Sequence, residues 1–208
     1  MANAVEFIHQ FVPPVSDASS SRTLLLLHGT GGNENDLLPL GRALDPGAAL
    51  LSPRGQVLEN DMPRFFRRLA EGVFDEKDVV RRADELADFI EAAGSRYNFR
   101  PADVVAVGYS NGANIAGAMM LLGRAKFRCA ILFRAMVPFV PRDLPSLGGH
   151  RTLVSEGEYD PIVPRTNAEQ LASLLRKSGA EVTLRFERAG HELTSSDLNA
   201  AKQWLVDR

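Results

Sequence analysis

Four clusters of chemically useful residues stand at the ends of apolar runs in this chain. They are His28-Gly29-Thr30-Gly31-Gly32, Gly108-Tyr109-Ser110-Asn111-Gly112, Gly157-Glu158-Tyr159-Asp160-Pro161 and Gly190-His191-Glu192-Leu193. The second has a serine with a glycine two residues away on each side. A serine where a strand turns sharply into a helix is forced into a strained backbone, and side chains at the flanking positions would collide, so glycine is favoured there. That turn lifts the hydroxyl clear and sets it beside a helix N-terminus, whose free N–H groups suit a developing negative charge. The pattern alone arises by chance; a strand before it and a helix after it make it specific.

A serine hydroxyl is a weak nucleophile and needs a base, usually histidine, with an acid to orient that base. The chain has four histidines. His9 lies on a predicted edge strand, and His150 precedes a strand and so falls at the wrong sheet edge. His28 and His191 both follow strands. His191, in a Gly-His turn before the last helix, is the favoured base; His28 is the alternative, with shaping the glycine loop as its other role. For the acid, Asp160 follows a strand and precedes Pro161, which biases it towards extended backbone. Glu156 and Glu158 compete with it, while Asp103 begins a strand at the wrong edge. Acyl transfer also needs two N–H groups for the carbonyl oxygen. Asn111 is the candidate beside the nucleophile, and Thr30 the candidate from the glycine loop.

The elements that must hold these residues alternate. Strands are expected at 4–12, 23–28, 48–52, 103–107, 128–133, 151–155 and 181–187. Helices are expected at 33–43, 76–93, 111–122, 166–177 and 195–206, with 56–75 irregular. Short, continuously apolar strands alternating with helices imply a mostly parallel sheet covered by helices on both faces. In such sheets the chemistry gathers at the carboxyl ends of the strands, where all four clusters fall. No repeat or linker divides the chain apart from the polar patch 16–21, so one α/β domain over 1–208 is expected.

Composition narrows the function classes. A net charge of −2 with no basic stripe argues against a nucleic-acid binder. The one cysteine, Cys129, sits in an apolar run and reads as a core residue; it excludes an internal disulfide. No apolar run reaches the ~18 residues of a membrane span, and no secretory leader is evident, so the cytoplasm is the expected location. Gly29-Thr30-Gly31-Gly32-Asn33-Glu34 fails as a dinucleotide loop because its third glycine position is Glu34. His191-Glu192 fails as a zinc motif because position 195 is serine. No metal and no cofactor is assigned.

The strings LLLLHGTGGNENDLLPL, SPRG, MPRFF, GYSNGANIA, GEYDPIVP and GHEL resemble the phospholipase/carboxylesterase family of α/β hydrolases, particularly its compact bacterial esterases related to acyl-protein thioesterases. The resemblance runs from about residue 5 to the end. It implies an α/β-hydrolase fold with Ser110, Asp160 and His191 as catalytic triad and the amides of Thr30 and Asn111 as oxyanion hole. It implies a small-molecule ester substrate, oxygen or thio, with lysophospholipase or acyl-protein thioesterase activity as alternatives. The thioesterases usually carry Gln after the serine, then a Gly-Gly pair; here Asn111, Gly112 and Ala113 stand instead, which weakens a carry-over of their specificity. A non-catalytic binding protein on the same fold is the competing class, although no residue of the triad is missing.

A chain of 208 residues leaves little room for a large cap domain. Met62, Phe65 and Phe66, with Phe139 and Val140, are the candidate acyl pocket, against simple packing on the sheet's flank. Arg64, Arg67 and Arg68 read as a solvated helical face partnered by Glu71 and Asp75, with attraction of an anionic substrate as the other reading. A homodimer is left open.

Overall fold

A computed structural model describes residues 6–15 and 22–207. The elements run β1 (His9–Val12), β2 (Thr23–Leu27), α1 (Leu38–Leu44), β3 (Ala49–Pro53), β4 (Val57–Glu59), β5 (Met62–Arg64), β6 (Arg68–Ala70), β7 (Val73–Phe74), α2 (Glu76–Tyr97), β8 (Val104–Tyr109), α3 (Asn111–Leu121), β9 (Cys129–Phe133), β10 (Arg151–Gly157), α4 (Arg165–Lys177), β11 (Glu181–Glu187) and α5 (Ser195–Val206). Seven strands form one sheet in the order β1-β3-β2-β8-β9-β10-β11. Only β1 is antiparallel to its neighbour. This is the α/β-hydrolase fold expected from the alternation. The polar patch at 16–21 and the start of the expected first strand lie outside the described residues.

Strands β2 and β3 are buried at every position because both faces of the sheet are covered. In β2, Leu25 and Leu27 join the core beneath α2, α3 and α4, while Leu24 and Leu26 join the one beneath α1 and α5. In β8, Val104 and Ala106 face the first core and Val105 and Val107 the second. Strand alternation thus splits one apolar run between two cores. Helix α2 starts at Asp75, whose side chain accepts from the Asp78 N–H, and ends at Asn98 in the left-handed conformation.

Three expectations change. The helix predicted over 33–43 begins only at Leu38, and residues 34–37 are a turn. Asn33 Oδ1 accepts from the Asn35 N–H and Asp36 Oδ2 from the Asn33 N–H, so side chains take donors that a helix would use. The stretch 56–75 folds as two hairpins, β4–β5 and β6–β7. Cys129 opens β9 and is half-buried, outside the inner core. No helix among the described residues is long and apolar enough to cross a membrane.

Candidate active site

Ser110 connects β8 to α3 with φ +52° and ψ −115°. An L-residue is strained there, and only a turn fixed on both sides holds it. The flanking glycines are steric necessities. A Cβ on Gly108 would stand 2.6 Å from the Ala113 backbone, and one on Gly112 would stand 2.0 Å from Leu27 O. Two backbone bonds, Ser110 N–H to Phe133 O at 2.9 Å and Asn114 N–H to Ser110 O at 2.9 Å, hold the turn.

His191 and Asp160 come to this serine from the ends of β11 and β10. His191 Nε2 lies 3.0 Å from Ser110 Oγ, and its Nδ1 lies 2.7 Å from Asp160 Oδ2. The other carboxylate oxygen, Oδ1, accepts from the N–H groups of Ile162 and Val163 at 2.7 and 3.1 Å. The Asp160 side chain is fully buried while that of His191 keeps some exposure. Glu158 is exposed. Glu156 instead accepts from the Ala135 N–H at 2.7 Å, and burial pushes its carboxyl well above the usual carboxylate range.

His28, the other histidine at this edge, is placed differently. It is 1% exposed, with Nδ1 on Gly29 O at 2.6 Å and Nε2 accepting from the Gly55 N–H at 2.9 Å. Both nitrogens are occupied, and burial lowers its pKa. It holds the glycine loop and does not face Ser110. His9 bonds Phe7 O and the Tyr97 hydroxyl, and His150 bonds Leu147 O. Asp103 pairs with Arg100.

The segment 63–65 stitches together the two turns that carry the candidate oxyanion amides. Pro63 O accepts from the Gly31 N–H at 3.0 Å, Arg64 Nη1 donates to Thr30 Oγ1 at 2.8 Å, and the Phe65 N–H donates to Asn111 Oδ1 at 2.7 Å. The Asn111 side chain is therefore a brace. Among the described residues, the backbone N–H groups of Thr30 and Asn111 have no protein acceptor.

The arginine cluster departs from expectation because 64–68 is not a helix. Arg64 is buried, ion-paired with Glu59 and spent on Thr30 and Phe66 O. Arg67 pairs with Asp75 and Arg68 with Glu59; Glu71 takes no part. The expected acyl pocket also divides. Phe65 packs on the His28 ring with centroids 4.8 Å apart, and Phe66 packs edge-on against Phe74. Both are core residues, Phe65 3% and Phe66 0% exposed. Met62 is exposed against Gly31, Phe139 is half-buried and Val140 is exposed.

Comparison with known proteins matches residues 15–207 to the phospholipase/carboxylesterase family. The chain belongs to that family. As a member of the phospholipase/carboxylesterase family it is a hydrolase of carboxylesterase type. It is 49% identical to the putative hydrolase MhqD of Bacillus subtilis (strain 168) over 91% of this chain and 94% of that protein. A Bacillus cereus carboxylesterase structure is 45% identical with a TM-score of 0.90, covering 94% of this chain and 92% of that one. A Mesorhizobium loti carboxylesterase structure is 32% identical with a TM-score of 0.85, covering 94% and 99%.

Sequence reasoning missed three parts of this family member's site. The Asn111 brace has no local signal, since its partner lies far back in the chain. Tyr109 donates to His191 O at 3.0 Å. Arg134 has a local signal, an arginine directly after the apolar run CAILF, at the same sheet edge as the four clusters.

Proposed function

We propose that the chain hydrolyses carboxylic esters of small to medium acyl groups by a serine mechanism. Ser110 Oγ attacks the carbonyl carbon as His191 Nε2 takes the hydroxyl proton. Asp160 holds the proton-bearing Nδ1 and offsets the positive charge that His191 gains. The oxyanion forms against the Thr30 and Asn111 N–H groups. Collapse expels the alcohol or thiol, which takes the proton from His191 and leaves Ser110 acylated. Water then loses a proton to His191 as it attacks the acyl carbon; on collapse His191 passes that proton to Ser110 Oγ, and the acid departs with both residues restored.

The observation that carries this reading is the unbroken chain Asp160–His191–Ser110 at 2.7 and 3.0 Å, on a serine in a left-handed turn. Its test is hydrolysis of oxygen esters and thioesters of graded chain length by wild type and Ser110→Ala. Turnover of short and medium chains that disappears in the variant is the expected result. Activity confined to long-chain lysophospholipids or acylated peptides would move the assignment to lysophospholipase or acyl-protein thioesterase. Absence of turnover on every ester by folded wild type would leave the non-catalytic binding protein.

A further inference from the structure

Arg134 follows β9 with φ +54°, a left-handed conformation for a non-glycine residue, and is 0% exposed. Each of its five N–H groups has an acceptor. Nε donates to Gly190 O at 3.0 Å, and Nη1 donates to Ser155 O at 3.1 Å and Asp197 Oδ1 at 2.9 Å. Nη2 donates to Glu192 O at 2.6 Å and Asp197 Oδ2 at 2.8 Å. Gly190 and Glu192 flank His191, whose own carbonyl accepts from the Tyr109 hydroxyl. Three successive carbonyls of one turn are therefore pinned by two side chains.

The geometry has a direct consequence for the imidazole. The Gly190 and His191 carbonyls belong to the two peptide planes on either side of the His191 Cα. Holding both fixes the backbone φ and ψ there, because peptide units are rigid. Only the two side-chain torsions are left, and the bond to Asp160 sets the ring. Asp197 completes the clamp. It accepts from Ser155 Oγ at 2.8 Å and from the Thr194 N–H and hydroxyl at 2.9 Å each, in the capping box that starts α5. Burial alone would raise its pKa; the bonds from Arg134, Thr194 and Ser155 outweigh that and keep it below the usual value.

A buried ion pair serving only to dock α5 would gain nothing from reaching carbonyls on both sides of one histidine. Apolar side chains of similar volume dock helices as well or better. We infer that Arg134, backed by Asp197 and joined by Tyr109, is a positioning residue that sets the height and rotation of His191 between Asp160 and Ser110. This rests on reading His191 as the base.

The test compares Arg134→Lys, Tyr109→Phe and the double variant Arg134→Met/Asp197→Leu with wild type and His191→Ala. The double variant removes both charges together and leaves no unpaired buried charge; Arg134→Lys, which keeps the charge and the Asp197 capping box, serves as the test where the double variant does not fold. The readouts are thermal unfolding, kcat and KM on a soluble ester, and the downfield proton signal of the His191 Nδ1–H bond to Asp160. The expected result is kcat lowered about 100-fold in the double variant, with KM changed by less than about threefold and the Nδ1–H signal broadened or lost. Arg134→Lys, which cannot fork to both carbonyls, should fall between it and wild type. Tyr109→Phe should lose a few-fold. Folded variants with wild-type kcat and an intact Nδ1–H signal would overturn the inference. An active His191→Ala would instead overturn the reading on which it rests.

Discussion

Two Gly/His turns meet at the carboxyl edge of this sheet, and they use the same side chain in opposite ways. At the end of β2, His28 lies almost completely buried with both nitrogens bonded to backbone. At the end of β11, His191 bonds a buried carboxylate on one side and a serine hydroxyl on the other. A histidine with two backbone partners is fixed as a neutral strut. One with a carboxylate behind it and an exchangeable hydroxyl in front can take and return a proton. What separates them is their surroundings, since residue type, neighbouring glycine and sheet edge are shared.

The comparison breaks most visibly when the second histidine is removed. His191→Ala should lower kcat by about 10⁴- to 10⁶-fold with little change in thermal stability, read by ester turnover and calorimetry. Gly112 tests the junction of the two regions, because a Cβ there meets both Leu27 O and His28 O. Gly112→Ala should separate the nucleophile's helix from the His28 strand and give a destabilised protein with activity lost, seen by thermal melts alongside turnover. His28→Gln sharpens the contrast from the other side. It leaves the buried Gly55 N–H poorly bonded and should cost about 1–3 kcal/mol in denaturant unfolding, with kcat reduced by no more than about tenfold.

The smallest effect is a pH slope. Burial lowers the His28 pKa below its ordinary 6.5. The folded state therefore resists protonation that the unfolded chain accepts. The stability from neutral His28 is complete above about pH 6.5 and is lost as the pH falls towards the folded value. Wild type should lose stability over that acidic window more steeply than His28→Gln in matched unfolding curves. Parallel curves would mean that His28 is not held neutral.

Much of this contrast was legible in the sequence. The four clusters, the strand-helix alternation and the order Ser110, Asp160, His191 follow from local patterns, and in the fold the three side chains lie within hydrogen-bond distance, Asp160 to His191 and His191 to Ser110. For His28 the sequence leaves two roles open, alternative base and support of the glycine loop, and its bond to the Gly55 N–H, 27 residues further on, has no local signal. The stretch 56–75 departs furthest from expectation, folding as two hairpins. Periodicity gives no signal for three-residue strands such as β4 and β5, so the sequence places Arg64 at the surface and Phe65 and Phe66 in a pocket, whereas all three are buried. The brace from Phe65 to Asn111 spans 46 residues of chain and becomes visible only when the hairpin is folded against the nucleophile turn.

In the proposed mechanism Ser110 is activated by His191 and not by His28. Fluorophosphonate labelling with peptide mapping measures this directly on wild type, His191→Ala and His28→Gln. The predicted result is a label on Ser110 in wild type and in His28→Gln at rates within about tenfold, slowed by at least about 10³-fold in His191→Ala. Wild-type labelling of Ser110 in His191→Ala, or a label that maps to another residue, would contradict it.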